Sequence, residues 1–287
     1  KIIGLSTPTA LVVLHAPKPR VVRARGISMI EKADHTHRPA KAFRKDRGMQ
    51  TQDYAELCVT SNFTFLTGAS HPEELVISAA ELGLSAIAIT DRNSLAGVVR
   101  AWTALKELAR DSDEALKIRS QQRVDASSRQ KVETGAGIAK PFAVTLPKLI
   151  VGCRLVLRDS SVEWIALPRN RAAYQRLTRL LTLGKRRAQK GDCVLYVKDM
   201  TAACKGMILI ALPQKRLKEA VPEIQNMRRY FPNHVFLGAT PRYDGSDQAY
   251  LKACAKIAQK ACAPMVSMGD VLMHRAYRRQ LADVLTC

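Results

Sequence analysis

The chain has 287 residues, of which 47% are hydrophobic and 5% aromatic, and its formal net charge is +21. This length and apolar content support a globular domain with a sizeable core and exclude a wholly disordered chain. The excess of cations favours polyanionic partners such as DNA or RNA, and a solvated basic face is the simpler alternative.

The chain-wide signals indicate a cytoplasmic protein that does not enter a membrane. No apolar run reaches the length needed to span a bilayer. The seven cysteines contain no CxxC pair and lie in apolar patterns, which is typical of small buried residues in a reducing compartment. Residues 1–53 carry eleven basic and four acidic side chains with little periodicity, so we expect a disordered basic arm before a main domain over 54–287.

The segment Tyr54–Trp102 has the pattern of a strand, a turn and a helix, repeated once. Leu57–Phe65 is an extended, β-prone run that Gly68 closes. Ser70 is placed as the N-cap of the following helix, and Gly83 supplies a left-handed stop. We therefore expect function at the polar turns that connect these elements.

The second strand of this segment, Ser85–Thr90, is almost wholly apolar, as expected for a strand buried on both faces of a parallel sheet. It ends at Asp91. A carboxylate at the carboxyl end of such a strand points to a ligand or metal site at the mouth of a barrel or in the crevice of an open sheet. The alternative is that Asp91 is the N-cap of the helix through Leu95 and Leu105.

Strands and helices continue to alternate along the rest of the chain, which predicts an α/β fold with a parallel sheet. Residues 111–147 interrupt the alternation because they are rich in Ser, Gln, Arg and Lys and lack periodicity, so we expect a surface insertion or a flexible loop. The predicted strands are Leu149–Leu157, Glu163–Leu167, Met207–Leu212, Val235–Ala239 and Met265–Met268, and the predicted helices are Arg171–Leu183, Lys215–Tyr230 and Ser246–Ala261.

The segment Arg169–Lys190 is the strongest candidate for contact with nucleic acid, because it has eight basic residues and no acidic one. The candidate phosphate contacts are Arg176 and Arg179 on the helix, followed by Lys185, Arg186 and Arg187 in a loop after Gly184. A solvated helix face and a docking surface for further domains remain alternatives. Few aromatics accompany the cations, which argues against a stacking platform for single strands.

A family resemblance follows from motifs in order along the chain: ELCVTSNFTFLTGASHPEELV, AIAITDRNSLAGVVRA, VGCRLVL, RLTRLLTLGKRRAQKG, GDVLMH and LADVLTC. Together they resemble the N-terminal part of the error-prone DNA polymerases, a bacterial family C group used in damage tolerance. The resemblance covers residues 54–287. It implies a polymerase-and-histidinol-phosphatase (PHP) domain, a distorted (β/α) barrel that in active relatives holds a metal cluster.

The resemblance also indicates which metal-ligand positions this chain has lost. The two histidine positions that open the site hold Cys58 and Thr60. The Asp of the family's TDH turn is kept as Asp91, but the next position is Arg92. The glutamate expected in the following strand is Arg154, so a cation stands where a carboxylate should neutralise metal charge.

The last strand keeps two further positions of the family pattern, Asp270 and His274, while Leu272 replaces a histidine. The remnant candidate ligands are therefore Asp91, Asp270, His274 and Cys58. We predict that they form no tight metal cluster and support no hydrolysis. The His35-Thr36-His37 pair is a weak alternative, because no strand, turn and helix follow it.

The family's polymerase palm, with its metal-binding carboxylates, lies beyond the LADVLTC motif. We therefore expect this fragment to be inactive in nucleotidyl transfer and to need no cofactor, Mg²⁺ being implied only for the full-length polymerase. The expected partners are DNA and the later polymerase domains. The alternatives are a free-standing PHP phosphoesterase and a basic nucleic-acid-binding module without catalysis.

Overall fold

The computed structural model describes residues 54–127, 146–213 and 219–286, and for 112–127 it describes the helix path alone. The predicted basic arm and the His35-Thr36-His37 pair lie outside these residues. None of the described helices is both long and apolar enough to cross a membrane.

Eight strands and seven α-helices make up the described chain. The strands are β1 (Ala55–Val59), β2 (Ala86–Ile89), β3 (Lys148–Val151), β4 (Cys153–Leu155), β5 (Val162–Pro168), β6 (Met207–Pro213), β7 (Val235–Ala239) and β8 (Met265–Ser267). The helices are α1 (Pro72–Glu81), α2 (Ala96–Ser127), α3 (Arg171–Arg186), α4 (Val197–Ala203), α5 (Ala220–Tyr230), α6 (Asp247–Ala261) and α7 (Arg279–Thr286). A short 3-10 turn over Ala276–Arg278 leads into α7.

The strands form two sheets, and only the first is wholly parallel. In the three-stranded sheet the order is β1-β2-β3, and every residue of β2 is buried, as its apolar run predicts. In the second sheet the order is β4-β5-β6-β7-β8, and β5 runs antiparallel to both neighbours. The prediction of a parallel sheet is therefore wrong for β5. No helix separates β4 from β5, and a direct hairpin link requires antiparallel pairing.

The two sheets close on each other as a distorted barrel, as the family resemblance implies. On one side β3 passes into β4 through Gly152, where a Cβ atom would lie 2.7 Å from side-chain carbons of Leu167 and Thr90. On the other side Val59 bridges to Val271 beyond β8, with Thr60 N donating to Val271 O at 2.8 Å. An interior apolar cluster with members from both sheets fills the barrel.

Helices cover the outside of both sheets. The helices α1 and α2 pack on the first sheet through residues such as Val76, Ile87 and Ala101. The helices α3 to α6 cover the second sheet around the fully buried Trp164 and Leu177. The helices cover the outer faces of the strands and the interior cluster covers the inner faces, so water is excluded from both.

Several element boundaries differ from the sequence-based ones. The strand β1 ends at Val59, and residues 61–67 form turns instead of continuing to Phe65. The N-cap of α1 is His71 with Glu74 completing the capping box, one residue later than predicted. The helix α2 continues to Ser127 and so covers the start of the expected insertion. Gly83 has φ of 69° just after α1, as its predicted role as a stop requires.

Candidate functional site

The centre of the barrel mouth is Arg154, the second residue of β4. Its backbone N donates to Asp91 O at 3.1 Å, and its carbonyl accepts from Asn93 N at 2.9 Å. These two bonds tie β4 to the chain just beyond β2. The side chain of Arg154 is thereby brought among the ends of β1, β2 and β8.

The guanidinium of Arg154 lies among polar groups from three other parts of the barrel. It forms an ion pair with Asp270, approaches Cys58 Sγ to 3.0 Å, and lies 3.5 Å from Glu163 Oε2. Cys58 Sγ is itself 3.3 Å from Asp270 Oδ1. The structure thus brings together two of the predicted remnant ligands, Cys58 and Asp270, and places a side-chain cation against both.

The charge states of this cluster follow from burial and from the neighbouring groups. Burial raises the pKa of the Cys58 thiol to about 12, although Arg154 opposes the shift, so the thiol stays neutral at physiological pH. Burial would lower the pKa of Arg154, but Cys58, Asp270 and Glu163 outweigh that effect and raise it. The cluster is therefore one permanent cation facing two carboxylates and a neutral thiol.

Asp91 does not face this cluster and instead holds the turn after β1. It is buried, and its oxygens accept from Ser61 N at 2.8 Å, from Ser61 Oγ and from Thr64 Oγ1 at 2.9 Å. Burial raises the pKa of Asp91 against these hydrogen bonds. The alternative of Asp91 as the N-cap of α2 is wrong, because α2 begins only at Ala96, and a ligand role for Asp91 stays a prediction. Gly97 of α2 packs so closely that an added Cβ would lie 2.5 Å from Asp91 Oδ2.

His274 fastens the chain beyond β8 to the start of α1. Its Nδ1 lies 2.8 Å from Ser70 Oγ, and its Nε2 lies 3.1 Å from Tyr277 OH. Its backbone N also donates to Ser70 Oγ at 3.0 Å. Glu74 lies 3.7 Å from Nδ1. The side chain predicted as a remnant ligand is therefore occupied by a polar network away from Arg154.

Two glutamates of the mouth were not among the sequence-based candidates. Glu163 is the second counter-ion of Arg154, and a lone carboxylate in the apolar run VEWIAL was the signal for it. Glu56 is buried in β1 and accepts from Cys58 N at 3.0 Å, Gly269 N at 2.9 Å and Tyr54 OH at 2.8 Å. Burial raises the pKa of Glu56. The bond from Gly269 connects β1 to the chain after β8, and the other two bonds lie within β1 or directly before it.

The donor set at the mouth does not fit the metal cluster that active members of this fold hold. Asp270 and Glu163 already neutralise a fixed guanidinium, and Asp91 and His274 are bonded elsewhere. A divalent ion at Cys58 and Asp270 would lie against the Arg154 cation, which opposes its binding. Within the described ranges, no three His, Cys, Asp or Glu side chains are grouped to hold one ion.

The predicted nucleic-acid residues lie on α3, with Arg187 as its C-cap, and they differ in whether the side chain bonds to another group of the protein. Arg179, Lys185 and Arg186 are exposed. Arg176 bonds to the Lys205 carbonyl, with Nε at 3.0 Å from that oxygen. Arg187 donates to Asp199 Oδ2 at 2.5 Å, which lowers the pKa of that carboxyl.

The expected loop after Gly184 is wrong, because α3 continues through Lys185 and Arg186. Gly184 is buried inside the helix, where an added Cβ would lie 2.6 Å from Cys193 Sγ and 2.7 Å from a methyl carbon of Leu195. The glycine therefore permits close packing of α3 on the following segment and does not end the helix.

The PHP domain family model matches residues 56–238, from the second residue of β1 to the fourth residue of β7, and so includes the Arg154 cluster apart from Asp270. The chain belongs to the PHP domain family. It is 72% identical over 234 residues to the error-prone DNA polymerase of Ruegeria pomeroyi, covering 82% of this chain and 21% of that protein. It is 38% identical over 241 residues to the error-prone DNA polymerase of Rhodopseudomonas palustris, covering 83% of this chain and 19% of that protein.

The PHP chain therefore spans about a fifth of the length of these curated relatives. The resemblance stated from its motifs, to the PHP region of the error-prone DNA polymerases, is confirmed. A solved structure described as a metal-dependent phosphoesterase from Bifidobacterium adolescentis is similar with a TM-score of 0.48 and 13% identity, over 78% of this chain and 88% of that one.

Proposed function

We propose that this PHP domain is the non-hydrolytic N-terminal part of a cytoplasmic error-prone DNA polymerase that acts in damage-induced mutagenesis and translesion replication. The observation that supports a non-hydrolytic role is the Arg154 guanidinium between Cys58, Asp270 and Glu163. A fixed side-chain cation there satisfies the carboxylates that a metal would need. The barrel then serves as a scaffold for the later polymerase domains, which are its partners together with DNA.

Nucleotidyl transfer belongs to the palm in this proposal. When bound there, Mg²⁺ would stabilise the charge that develops on the attacking and departing oxygens. The residues of the present chain contribute a folded support and a basic surface, and no step of the transfer is assigned to them. A primer-extension assay with this chain alone is expected to give no product. Extension that depends on this chain would contradict the assignment.

The non-hydrolytic role can be tested by metal analysis and phosphoester hydrolysis on the purified chain. We expect no stoichiometric Zn²⁺ or Mn²⁺ and no hydrolysis of a generic phosphodiester. The alternative of a free-standing PHP phosphoesterase predicts both. Stoichiometric metal together with hydrolysis would overturn the proposal.

A designed variant makes this test sharper. Arg154→Glu replaces the cation by a carboxylate beside Asp270 and Glu163, so added Mn²⁺ or Zn²⁺ should raise the unfolding temperature of this variant and not that of the parent chain. Arg154→Gln is the matched control, because it removes the cation without adding a ligand charge. Equal metal responses of the parent and Arg154→Glu would contradict the idea that Arg154 takes the place of a metal.

The assignment to a polymerase is tested by the reading frame that contains this sequence. We expect it to continue beyond Cys287 into a palm with its metal-binding aspartates. A gene that encodes no such palm would favour a partial or decayed copy.

A further inference from the structure

The rim of the barrel opposite the mouth carries a cluster of four cations, and within the described ranges none of the four forms an ion pair with a carboxylate. The rim is formed where β5 ends and where β6 and β7 begin, since Pro168 pairs with Met207 and Leu209 pairs with Val235. We name the cluster of Arg169, Arg171, Arg176 and Lys205 the basal cluster. We propose that the basal cluster binds the phosphate backbone of nucleic acid.

The cluster is built around one turn, residues 205–206. Arg176 donates from its side chain to the Lys205 carbonyl, and Arg169 donates from its backbone N to the Gly206 carbonyl at 3.2 Å. Gly206 has φ of 79°, and a Cβ atom there would lie 3.0 Å from Arg176 Nη2. The turn therefore holds two arginines against adjacent carbonyls and leaves Lys205 exposed.

The second arginine is held by the imidazole of His234. Arg169 Nη1 lies 2.8 Å from His234 Nε2, and His234 Nδ1 lies 2.8 Å from Pro232 O. Since the carbonyl can only accept, Nδ1 donates to it and Nε2 is the acceptor for Arg169. The Arg169 side chain is thus ordered without losing its charge.

Arg169 and Arg176 bond to neutral acceptors. The other arginines of the described part of the chain that form an ion pair each pair with a carboxylate. Those pairs are Arg100 with Glu73, Arg154 with Asp270, Arg187 with Asp199, Arg275 with Glu81, Arg278 with Glu74 and Arg279 with Asp283. A neutral acceptor orders a guanidinium and leaves its full charge for an external anion. An ordered guanidinium also loses less side-chain entropy when it binds phosphate.

No acidic residue lies close to the basal cluster residues in the sequence. Residues 168–180, 201–207 and 231–235 include no Asp or Glu. The first turn of α3 holds Arg171 and no acidic residue, although the helix dipole favours a negative charge there. Four cations on one rim, without an acidic residue beside them in the sequence, suit the regularly spaced phosphates of a nucleic-acid strand.

The basal cluster changes which end of α3 we expect to contact DNA. The candidates Lys185, Arg186 and Arg187 lie at the carboxyl end, where Asp199 compensates one charge. The basal cluster lies at the amino end, and no carboxylate in the described part of the chain pairs with it. The choice of nucleic acid as the partner rests on the proposed role in a DNA polymerase, whereas the position of the surface rests on these contacts alone.

Three double variants of the 287-residue chain test the proposal, each removing two positive charges. Arg169→Gln with Lys205→Gln alters the basal cluster, and Lys185→Gln with Arg186→Gln alters the carboxyl end of α3. Arg275→Gln with Arg279→Gln is the control, because both arginines are exposed and lie on another face. Fluorescence anisotropy with a labelled DNA duplex and with a labelled single strand is measured across a salt series. Thermal unfolding of each variant checks that it folds.

We expect the basal double variant to bind DNA several-fold more weakly and to reduce the slope of log affinity against log salt by about two, one for each cation. The control should leave the slope unchanged. Arg169→Lys should retain most of the affinity, since it keeps the charge.

If only the carboxyl-end variant weakens binding, the basal proposal is wrong while DNA association by the domain stands. Absence of DNA binding by the parent chain, or equal losses in all three variants, would also overturn it. Capture of an acidic protein segment without DNA binding would reassign the surface. None of these outcomes alters the metal and hydrolysis test of the proposed function.

Discussion

Replacing Arg154 by Met is expected to destabilise the domain through the carboxylates that it leaves behind. The side chains of Arg154, Glu163 and Asp270 are 12%, 20% and 36% exposed. Removing one partner of a fully buried ion pair costs about 3–5 kcal/mol, and the partial exposure of Asp270 reduces that figure. We therefore expect Arg154→Met to lower the free energy of unfolding by about 2–3 kcal/mol at neutral pH.

The loss should depend on the unpaired charge and not on the change of side-chain volume, since methionine retains much of the apolar stem. Arg154→Met combined with Asp270→Asn should therefore be less destabilised than the sum of the single variants, with a coupling of about 1–2 kcal/mol. Arg154→Lys keeps a cation but loses the forked geometry, so its loss should be intermediate.

Urea unfolding followed by circular dichroism measures these differences, with the four chains of the double-mutant cycle compared in one buffer. The slope of free energy against urea should stay constant across the set. A loss below about 1 kcal/mol for Arg154→Met, or a coupling within error of zero, would refute the view that the cluster is an internal ion pair.

Three further predictions follow from the described contacts. Asp91→Asn should lower the free energy of unfolding by about 2 kcal/mol, because a single amide oxygen replaces a carboxylate that accepts from Ser61 N, Ser61 Oγ and Thr64 Oγ1. Proteolysis within residues 61–68 should also become faster. Unchanged stability and cleavage would contradict this role. Gly68→Ala should lower the free energy of unfolding in urea by about 3 kcal/mol, since the added Cβ would lie 2.0 Å from Ser61 O. Gly83→Ala should lower it by about 1 kcal/mol, through the positive φ of Gly83 alone. A larger loss for Gly83→Ala than for Gly68→Ala would contradict the close approach at Gly68. The hydrogen bond from Arg187 lowers the pKa of Asp199. The pair therefore stabilises the fold above the unfolded pKa of about 4, and this stabilisation is lost as the pH falls through the lower folded pKa. The decrease in urea midpoint caused by Asp199→Asn should accordingly be smaller at acidic pH, and a decrease independent of pH would contradict the ion pair.

Local pattern was sufficient for most elements of the fold. The run Val235–Ala239 is a strand with the predicted bounds, and Glu163–Leu167 lies inside β5. Such segments are predictable because an apolar run between turn residues has few ways to bury itself. The antiparallel direction of β5 was missed, because strand direction depends on which neighbours a strand meets and not on its own composition.

The family resemblance also indicated which residue types were lost from the mouth, and Arg154 at a carboxylate position was the strongest of these signals. The sequence could not indicate which partners the remaining polar side chains would contact. Asp91 and Asp270 look equivalent as single carboxylates after strands, yet one accepts from Ser61 and Thr64 while the other pairs with Arg154.

The amino-acid sequence by itself determined the alternation of elements, the apolar interior and the excess of positive charge, because each depends on residues close together in the chain. The tertiary structure decided which charges are neutralised: Arg187 meets Asp199, whereas Arg169 and Arg176 meet an imidazole and a carbonyl. Electrostatic energy depends on distances of a few ångströms between groups that lie far apart in sequence, and only folding sets those distances.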